Sequence, residues 1–471
     1  MVSLGYLRLC FTYLYGGFMK KFAILFLFMC FIGASVFAAG ASDEGTEAGS
    51  GIKTPIERYN PGFVFPTERI QLDYWHVLGT REGFHELVRE MADEYESIHP
   101  NVTINIRDVP NAQQRAIFTT AFEANTAADV VWIEAQLGLL HDGLLPAPDW
   151  AVKMMEETFT DYALSLSKVD GTYYGWSGAE VDVGQMLYYR KDLFREAGLD
   201  PENPPTTLEE MLEAAKALTK FDSSGNMTQA GIALRYAGGP QGIGDKFSKY
   251  AAAFMDTQSE FFYNADYSDV MFDSEAWIAA AQFYQDLIFK DKVSNTTLPT
   301  PINAFAQGLA AMTNRESFFA GWLASNAPDA EYGIAPMVNG DYETGAMPWL
   351  AFQGVTVNAE NPDVAWDFNM FLVEPQNELQ IVKNNGGMSR YKQFQDDPYF
   401  KTLPYYDVYV DSITNRPIVR NPYLDPNSLV AEWETKVGEI AVELLTNPDA
   451  DARELMTELA EFGRNRLSEV R

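Results

Sequence analysis

The chain has 471 residues, a formal net charge of −32 and 2 cysteines. Its acidity argues against nucleic acid and anionic lipid as partners. The length exceeds the size at which one hydrophobic core keeps growing, so we expect two lobes. Because Cys10 and Cys30 both precede residue 38, we expect no disulfide and no thiol catalysis in the rest of the chain.

A secretory signal peptide is indicated near the start. Met19 and two lysines are followed by an apolar segment at 22–32 and a small-residue cleavage site at 36–38. We predict translation from Met19, residues 1–38 as leader and signal peptide, and a soluble, periplasmic mature protein. A lipid anchor at Cys30 stays open, although Met29 stands where such sites prefer a small residue.

The elements that follow alternate between strands and helices. Residues 39–66 begin small, polar and acidic, and we expect a flexible tether there. Hydrophobic periodicity then predicts a strand, a helix, a second strand, a second helix and a short buried strand at 69–75, 84–98, 102–106, 111–124 and 129–133. This order predicts an α/β fold with a largely parallel sheet.

Longer helices are predicted in the second half. Thr207 and Glu210 form a capping box in front of one of them. Others are expected at 277–288, 364–372, 428–446 and 450–468. Four tryptophans occupy apolar helix faces or a buried strand, and we expect them in the core: Trp132, Trp277, Trp366 and Trp433.

Catalytic motifs are incomplete. His85 lacks the second histidine of a zinc-protease helix, and Ser177 lacks the spacing of a nucleophile elbow. Residues 222–226 lack the alternating carboxylates of a calcium loop. The glycines within 238–244 do not follow a strand directly, so we interpret them as a flexible loop. We therefore predict no catalytic residue, no metal site and no cofactor.

Several segments, taken in order, resemble the extracellular solute-binding proteins of ABC importers, in the sugar-binding family 1 that includes maltose-binding protein. Their positions are 129–132, 142–146, 171–176, 187–199, 305–312, 332–336 and 358–366. The resemblance implies a type II periplasmic-binding-protein fold with two lobes, each a mixed, mostly parallel sheet flanked by helices. It places 67–181 plus 352–395 in the first lobe and 182–351 plus 396–471 in the second, with the C-terminal helices. Hinge loops are expected near 181–184, 350–353 and 393–398.

First-lobe ligand contacts are expected in the loops that follow strands, because ligands gather at the carboxyl ends of strands in open α/β sheets. The candidates are Trp75, His76, Arg81, Glu82, Glu134 and Gln136. For the loop that begins at Trp75, the alternative is that this tryptophan only packs the loop and that the charged residues beside it are solvated. Near the crossing into the second lobe the candidates are Trp176, Asp182 and Gln185, with a hinge hydrogen bond as the alternative for Asp182.

In the second lobe, relatives have a glycine turn and a sugar-stacking aromatic residue where this chain reads Asn314-Arg315-Glu316-Ser317. This departure leaves the stacking role open between Phe318 and Trp322 and places Arg315 in the cleft. Trp349, just before the second crossing, is a further aromatic candidate.

The predicted function is capture of a sugar or oligosaccharide by a monomeric receptor that delivers it to the permease subunits of an ABC importer. Two alternatives remain. The same fold could bind a polyamine, a peptide or a phosphorylated polyol, and a secreted glycoside hydrolase would have a similar aromatic, carboxylate-lined cleft.

Overall fold

A computed structural model describes most of the chain beyond the leader. The described residues are 52–79, 83–110, 113–134, 142–169, 171–178, 183–237, 239–256, 261–347, 351–385, 387–403, 405–416 and 429–470. All of them belong to the unit Gly51–Arg471. Within these ranges, no helix is long and apolar enough to cross a membrane. The predicted signal peptide and cleavage site lie outside the described residues.

The first sheet has five strands in the order β2-β1-β3-β12-β6. Their bounds are β1 Ile70–His76, β2 Val102–Asp108, β3 Val130–Glu134, β6 Trp176–Ser177 and β12 Ala351–Val355. β1 pairs in parallel with β2 and β3, whereas β12 runs antiparallel to β3 and β6. The predicted parallel core is therefore confirmed, and a strand from late in the chain completes it.

The second sheet also has five strands, in the order β11-β7-β10-β9-β8. Their bounds are β7 Gln185–Arg190, β8 Lys220–Phe221, β9 Met227–Ala233, β10 Ala310–Glu316 and β11 Tyr332–Ala335. β10 is parallel to β9 and antiparallel to β7. A separate two-stranded sheet pairs β4 Lys168–Val169 with β5 Thr172–Tyr173.

Helices flank both sheets, and the molecule is an α/β protein of the two-lobed type. In chain order they are α1 Pro55–Tyr59, α2 Phe84–Ile98, α3 Gln114–Glu123, α4 Asp149–Thr158, α5 Asp161–Ser165, α6 Lys191–Glu196, α7 Leu208–Leu218, α8 Pro240–Ala251, α9 Glu275–Phe289, α10 Pro301–Ala306, α11 Phe318–Asn326, α12 Pro362–Phe371, α13 Pro375–Asn385, α14 Pro398–Lys401, α15 Tyr406–Thr414, α16 Val430–Thr446 and α17 Ala452–Val470. The predicted capping box of Thr207 and Glu210 is present at α7. The four tryptophans expected in the core are at most 3% exposed, which confirms that prediction.

The chain passes between the sheets more than once, and two of these crossings lie side by side. One connects β6 to β7, and another connects β11 to β12. Gly184 in the first crossing has φ +82°, and a Cβ there would lie 2.5 Å from the backbone oxygen of Met347 in the second. Only glycine fits this close approach without strain. The lobe boundaries themselves stay a prediction.

The segment predicted as a flexible tether is ordered from Thr54 onward, so that part of the prediction is wrong. Thr54 and Glu57 form a capping box for α1, which has a proline in its first turn. Ile56 is fully buried, and Arg58 pairs with Glu374. The short, isolated helix carried too little periodicity to stand out, although its cap residues were visible in the sequence.

Asp367 in α12 fastens α1 to the first lobe. This carboxylate is fully buried and accepts hydrogen bonds from the Ile56 amide at 2.7 Å and the Tyr95 hydroxyl at 2.8 Å. His99 Nε2 lies 4.0 Å away. Burial raises the pKa of Asp367 to about 6, because these donors do not fully replace the lost hydration. The ionised form is therefore costly in the folded state.

Replacing Asp367 with asparagine should remove this pH dependence. Because the pKa in the folded state lies above its ordinary value, the stabilisation from Asp367 is present below about pH 4 and lost as the pH rises through 6. We expect the wild-type free energy of unfolding, relative to Asp367→Asn, to fall by about 3 kcal/mol between pH 4 and 7. Urea unfolding measures it, with Asp363→Asn in the exposed first turn of α12 as the control. A constant difference across this range would contradict the assignment.

Candidate ligand-binding site

A cluster of charged and polar side chains lies on the second lobe beside the two adjacent crossings. Gln185 opens β7 directly after the first crossing, and its amide nitrogen lies 3.4 Å from Asp245 Oδ2. Lys249 donates to the Met347 carbonyl at 2.8 Å, just before the second crossing. The cluster therefore occupies the face of the second lobe from which the chain passes to the first.

Buried ion pairs hold this cluster together. Lys246 on α8 pairs with Asp245 at 2.6 Å and also with Glu316 at the end of β10. Arg315 Nη2 lies 3.4 Å from Glu316 Oε2. Burial would raise the pKa of Glu316, but Arg315 and Lys246 outweigh it and lower the pKa to about 2. Burial would also raise the pKa of Asp245, but Lys246 and Lys249 outweigh it and hold that pKa well below the usual range. Glu316 and Asp245 are therefore both ionised at neutral pH.

A small cavity opens among these groups. Its volume of about 10 Å³ is close to what one water molecule requires. Among the described residues, several polar atoms that line the cavity have no hydrogen-bond partner: both amide atoms of Asn314, the hydroxyls of Tyr250 and Tyr284, and Arg315 Nε. Glu316 Oε2 and Gln185 Oε1, in the same cluster, also have none. Leaving such buried atoms unpaired costs about 1–3 kcal/mol each, so the arrangement favours occupation by a polar group.

The hydroxyls of Tyr250 and Tyr284 remain protonated at any physiological pH. Burial raises the pKa of Tyr250, with a smaller contribution from Tyr284 nearby. It also raises the pKa of Tyr284, against the opposing effect of Arg235. Both hydroxyls can therefore donate a hydrogen bond to a ligand oxygen, as the Asn314 amide can.

The predicted first-lobe contacts lie at the ends of β1 and β3. Trp75 is half-buried, with the Arg107 guanidinium 4.6 Å from its ring centroid. Glu134 is buried and accepts a hydrogen bond from the Gln114 amide at 2.9 Å. Both lie at the carboxyl ends of their strands, as the sequence predicts. Ligand contact by these two residues stays a prediction.

Two further candidates are buried in the first lobe. His76 is fully buried; its Nδ1 accepts from the Leu78 amide at 3.2 Å, and burial lowers its pKa to about 4. Trp176 is 2% exposed and donates through its indole nitrogen to the Asn369 carbonyl at 3.1 Å. The polar atoms named here already have partners inside the lobe, and ligand contact by His76 and Trp176 stays a prediction.

In the second lobe, the structure brings Arg315, Phe318 and Gln185 to one region. The Arg315 guanidinium lies 5.4 Å from the Phe318 ring centroid. Trp322 is half-buried one turn later on α11 and stacks on Phe319 at 5.6 Å. Phe318 is thus the candidate that contacts the charged cluster, while the stacking role of either aromatic residue stays a prediction.

The remaining candidates lie outside the described residues, and their roles stay predictions: Arg81, Glu82, Gln136, Asp182 and Trp349. Sequence reasoning missed Asp245, Lys246 and Lys249 because it interpreted the preceding glycines as a flexible loop. That interpretation is wrong, since α8 begins at Pro240 and contains Gly242 and Gly244. The acid and base at positions 245 and 249 have helical i,i+4 spacing, which was the available signal.

The sequence also gave no prediction for Arg390. It is 1% exposed and pairs with fully buried Glu378 at 2.8 Å. Its guanidinium also donates to the carbonyls of Ser177 and Gly178 and lies 4.3 Å from the Trp176 ring centroid. Arg390 therefore fastens the end of β6, where the chain leaves the first sheet, to the segment that follows α13.

Comparison with known proteins identifies the class. The family model of the bacterial extracellular solute-binding proteins matches residues 82–378, and the chain belongs to this family. A binding protein of Brucella abortus is 26% identical over 307 residues, covering 63% of this chain and 71% of that protein. The sn-glycerol-3-phosphate-binding periplasmic protein UgpB of Pectobacterium atrosepticum is 24% identical over 380 residues, covering 74% and 80%.

Solved structures share the fold. The maltose/maltodextrin-binding domain MalE of Bdellovibrio bacteriovorus, bound to maltotriose, superposes with a TM-score of 0.69 at 18% identity, over 85% of this chain and 100% of that one. UgpB of Mycobacterium tuberculosis, in complex with glycerophosphocholine, gives 0.71 at 17% identity over 85% and 98%. At these identities the likeness establishes the two-lobed fold alone.

Replacing Arg390 with glutamine should leave Glu378 as a buried charge without its cationic partner. We expect the free energy of unfolding to fall by about 3–5 kcal/mol. The matched control is Arg453→Gln, which breaks an ion pair with Glu275 whose side chains are 59% and 79% exposed. That change should cost less than about 1 kcal/mol. Equal losses in urea unfolding would show that the Arg390 pair does not fasten this region.

Proposed function

We propose that this protein is the receptor of an ABC importer, which captures a sugar or oligosaccharide between its lobes and delivers it to the permease subunits. The observation that carries the proposal is the set of buried, unpaired polar atoms of Asn314, Tyr250 and Tyr284 beside the interlobe crossings. Sugar hydroxyls both donate and accept hydrogen bonds, so they complement such groups. Family membership and the ligands named for the related structures support the same reading.

The remaining contacts are proposed around this set. Gln185, Arg315, Phe318 and Trp322 would complete the second-lobe face. The first lobe would face them across the cleft with Trp75 and Glu134, at the carboxyl ends of β1 and β3. The predicted contacts Arg81, Glu82 and Gln136 would belong to the same face. Asp182 and Trp349 would contact the ligand from the crossings. A ligand that bridges both faces stabilises the closed arrangement, because only differential affinity for one state can shift the equilibrium.

The cellular setting is part of the proposal. Membership of an extracellular family places the protein outside the cytoplasm. We propose export through the signal peptide that ends at residue 38, with an anchored form if Cys30 carries lipid. We further propose that the protein acts as a monomer and binds without transforming its ligand. The incomplete catalytic motifs in the sequence support the last point.

Binding without turnover is the expected result of a ligand screen. Thermal-shift measurements across sugars, oligosaccharides, polyamines and peptides should show stabilisation by a carbohydrate, of about 2.7 kcal/mol at 100 times the dissociation constant. Calorimetry should then give one ligand per chain, and chromatography should recover the ligand unchanged. Release of a cleaved glycoside would instead establish the hydrolase alternative, and stabilisation by a polyamine or peptide alone would overturn the carbohydrate assignment.

Asn314→Ala should weaken carbohydrate binding about 10-fold to 100-fold, because the amide offers a donor and an acceptor that alanine lacks. Asn326→Ala, at an exposed position on α11, is the matched control and should leave the dissociation constant unchanged. Circular dichroism checks that both variants are folded. Equal affinity of Asn314→Ala and the wild type would remove Asn314 from the site.

A further inference from the structure

The cavity on the second lobe is lined by three cationic side chains and, among the described residues, by no carboxylate. These cations are Arg235, Lys246 and Arg315. Lys246 is neutralised by Asp245 and Glu316, and Arg315 must share Glu316 with it. Arg235 has no acidic group within ion-pair distance in the described part of the chain. Positive charge therefore exceeds negative charge at the cavity.

Arg235 is held at the cavity by packing. A Cβ on Gly242 would lie only 2.5 Å from the guanidinium carbon of Arg235. The guanidinium therefore packs directly against the surface of α8 at this glycine. Burial lowers the pKa of Arg235, and the nearby positive charge of Arg315 lowers it further. The two guanidinium groups repel each other in a poorly hydrated place, and a ligand anion near them would relieve this repulsion.

Neutral donors surround the same space. Asn314 is 6% exposed and Tyr250 is 2% exposed, and neither side chain has a hydrogen-bond partner among the described residues. A neutral hydroxyl would satisfy one or two of these donors but would leave the excess charge in place. An oxyanion accepts several hydrogen bonds at once and also neutralises the charge, and such charge-assisted bonds are roughly twice as strong as neutral ones.

We propose that the ligand carries an oxyanion, either a phosphate or a carboxylate, and that Arg235 and Arg315 bind this group at the cavity. The inference rests on the proposed function and narrows it to acidic sugars or phosphorylated sugars and polyols. The volume of about 10 Å³ holds a single ligand oxygen, so the rest of the oxyanion and the body of the ligand lie in the cleft. Lys246, with its own carboxylates, positions Glu316 and thereby Arg315.

Calorimetry with matched ligand pairs tests this inference. Glucose is compared with glucose 6-phosphate and with glucuronate, and glycerol with sn-glycerol 3-phosphate. We expect the charged member of at least one pair to bind 100-fold more tightly or better, and the two glucose derivatives distinguish phosphate from carboxylate. Arg315→Gln and Arg235→Gln should each abolish this preference by weakening the binding of the charged member, and circular dichroism checks that both variants are folded.

Gly242→Ala provides a variant that keeps every charged residue. Its new methyl group would displace the Arg235 guanidinium, and we expect at least a tenfold loss of affinity for the charged ligand. Gly239→Ala is the matched control, because a Cβ there meets nothing within 4 Å. Its affinity should equal that of the wild type.

Three outcomes would overturn the inference. Equal binding of neutral and charged members would refute the oxyanion and leave the receptor function standing. A charged preference that persists in Arg235→Gln, Arg315→Gln and Gly242→Ala would show that other residues bind the anion. Absence of binding by every sugar, polyol and charged derivative would count against both the inference and the proposed function.

Discussion

The ligand-binding face depends on the two ion pairs that Lys246 forms. Its ammonium group joins Asp245 on α8 to Glu316 at the end of β10, while Lys249, one turn later, binds the Met347 carbonyl at the second crossing. A helix, a strand end and a crossing are thereby fixed relative to one another. Because separating buried ion pairs is costly, this network constrains where Arg315 and Asn314 can lie. The polar cavity is a consequence of that constraint.

The crossings have a corresponding attachment in the first lobe. Arg390 and Glu378 form a buried ion pair. The Arg390 guanidinium also donates hydrogen bonds to the carbonyls of Ser177 and Gly178, at the end of β6. Lys249 performs the comparable role on the second lobe, at Met347. Arg390 thus holds the first crossing where it leaves the first lobe, and Lys249 holds the second crossing where it leaves the second lobe. The hinge loops expected near 181–184 and 350–353 stay a prediction.

The sequence predicted the architecture better than the site. Strand and helix periodicity located the parallel strands of the first sheet, and apolar helix faces correctly placed Trp277 and Trp433 in the core. The charged cluster could not be predicted in the same way, since Asp245 and Lys249 have the spacing of an ordinary solvent-exposed pair. They are buried because Gly244 and Gly438 allow α8 and α16 to pack backbone to backbone, a contact between residues far apart in sequence.

We propose that a ligand bridges the two lobes and closes them around itself. Small-angle X-ray scattering measures this directly, by comparing the radius of gyration of the protein alone with that at a saturating concentration of a ligand whose binding calorimetry has established. A smaller radius of gyration in the liganded protein is the predicted result. An unchanged scattering curve at full occupancy would contradict closure as the means of capture.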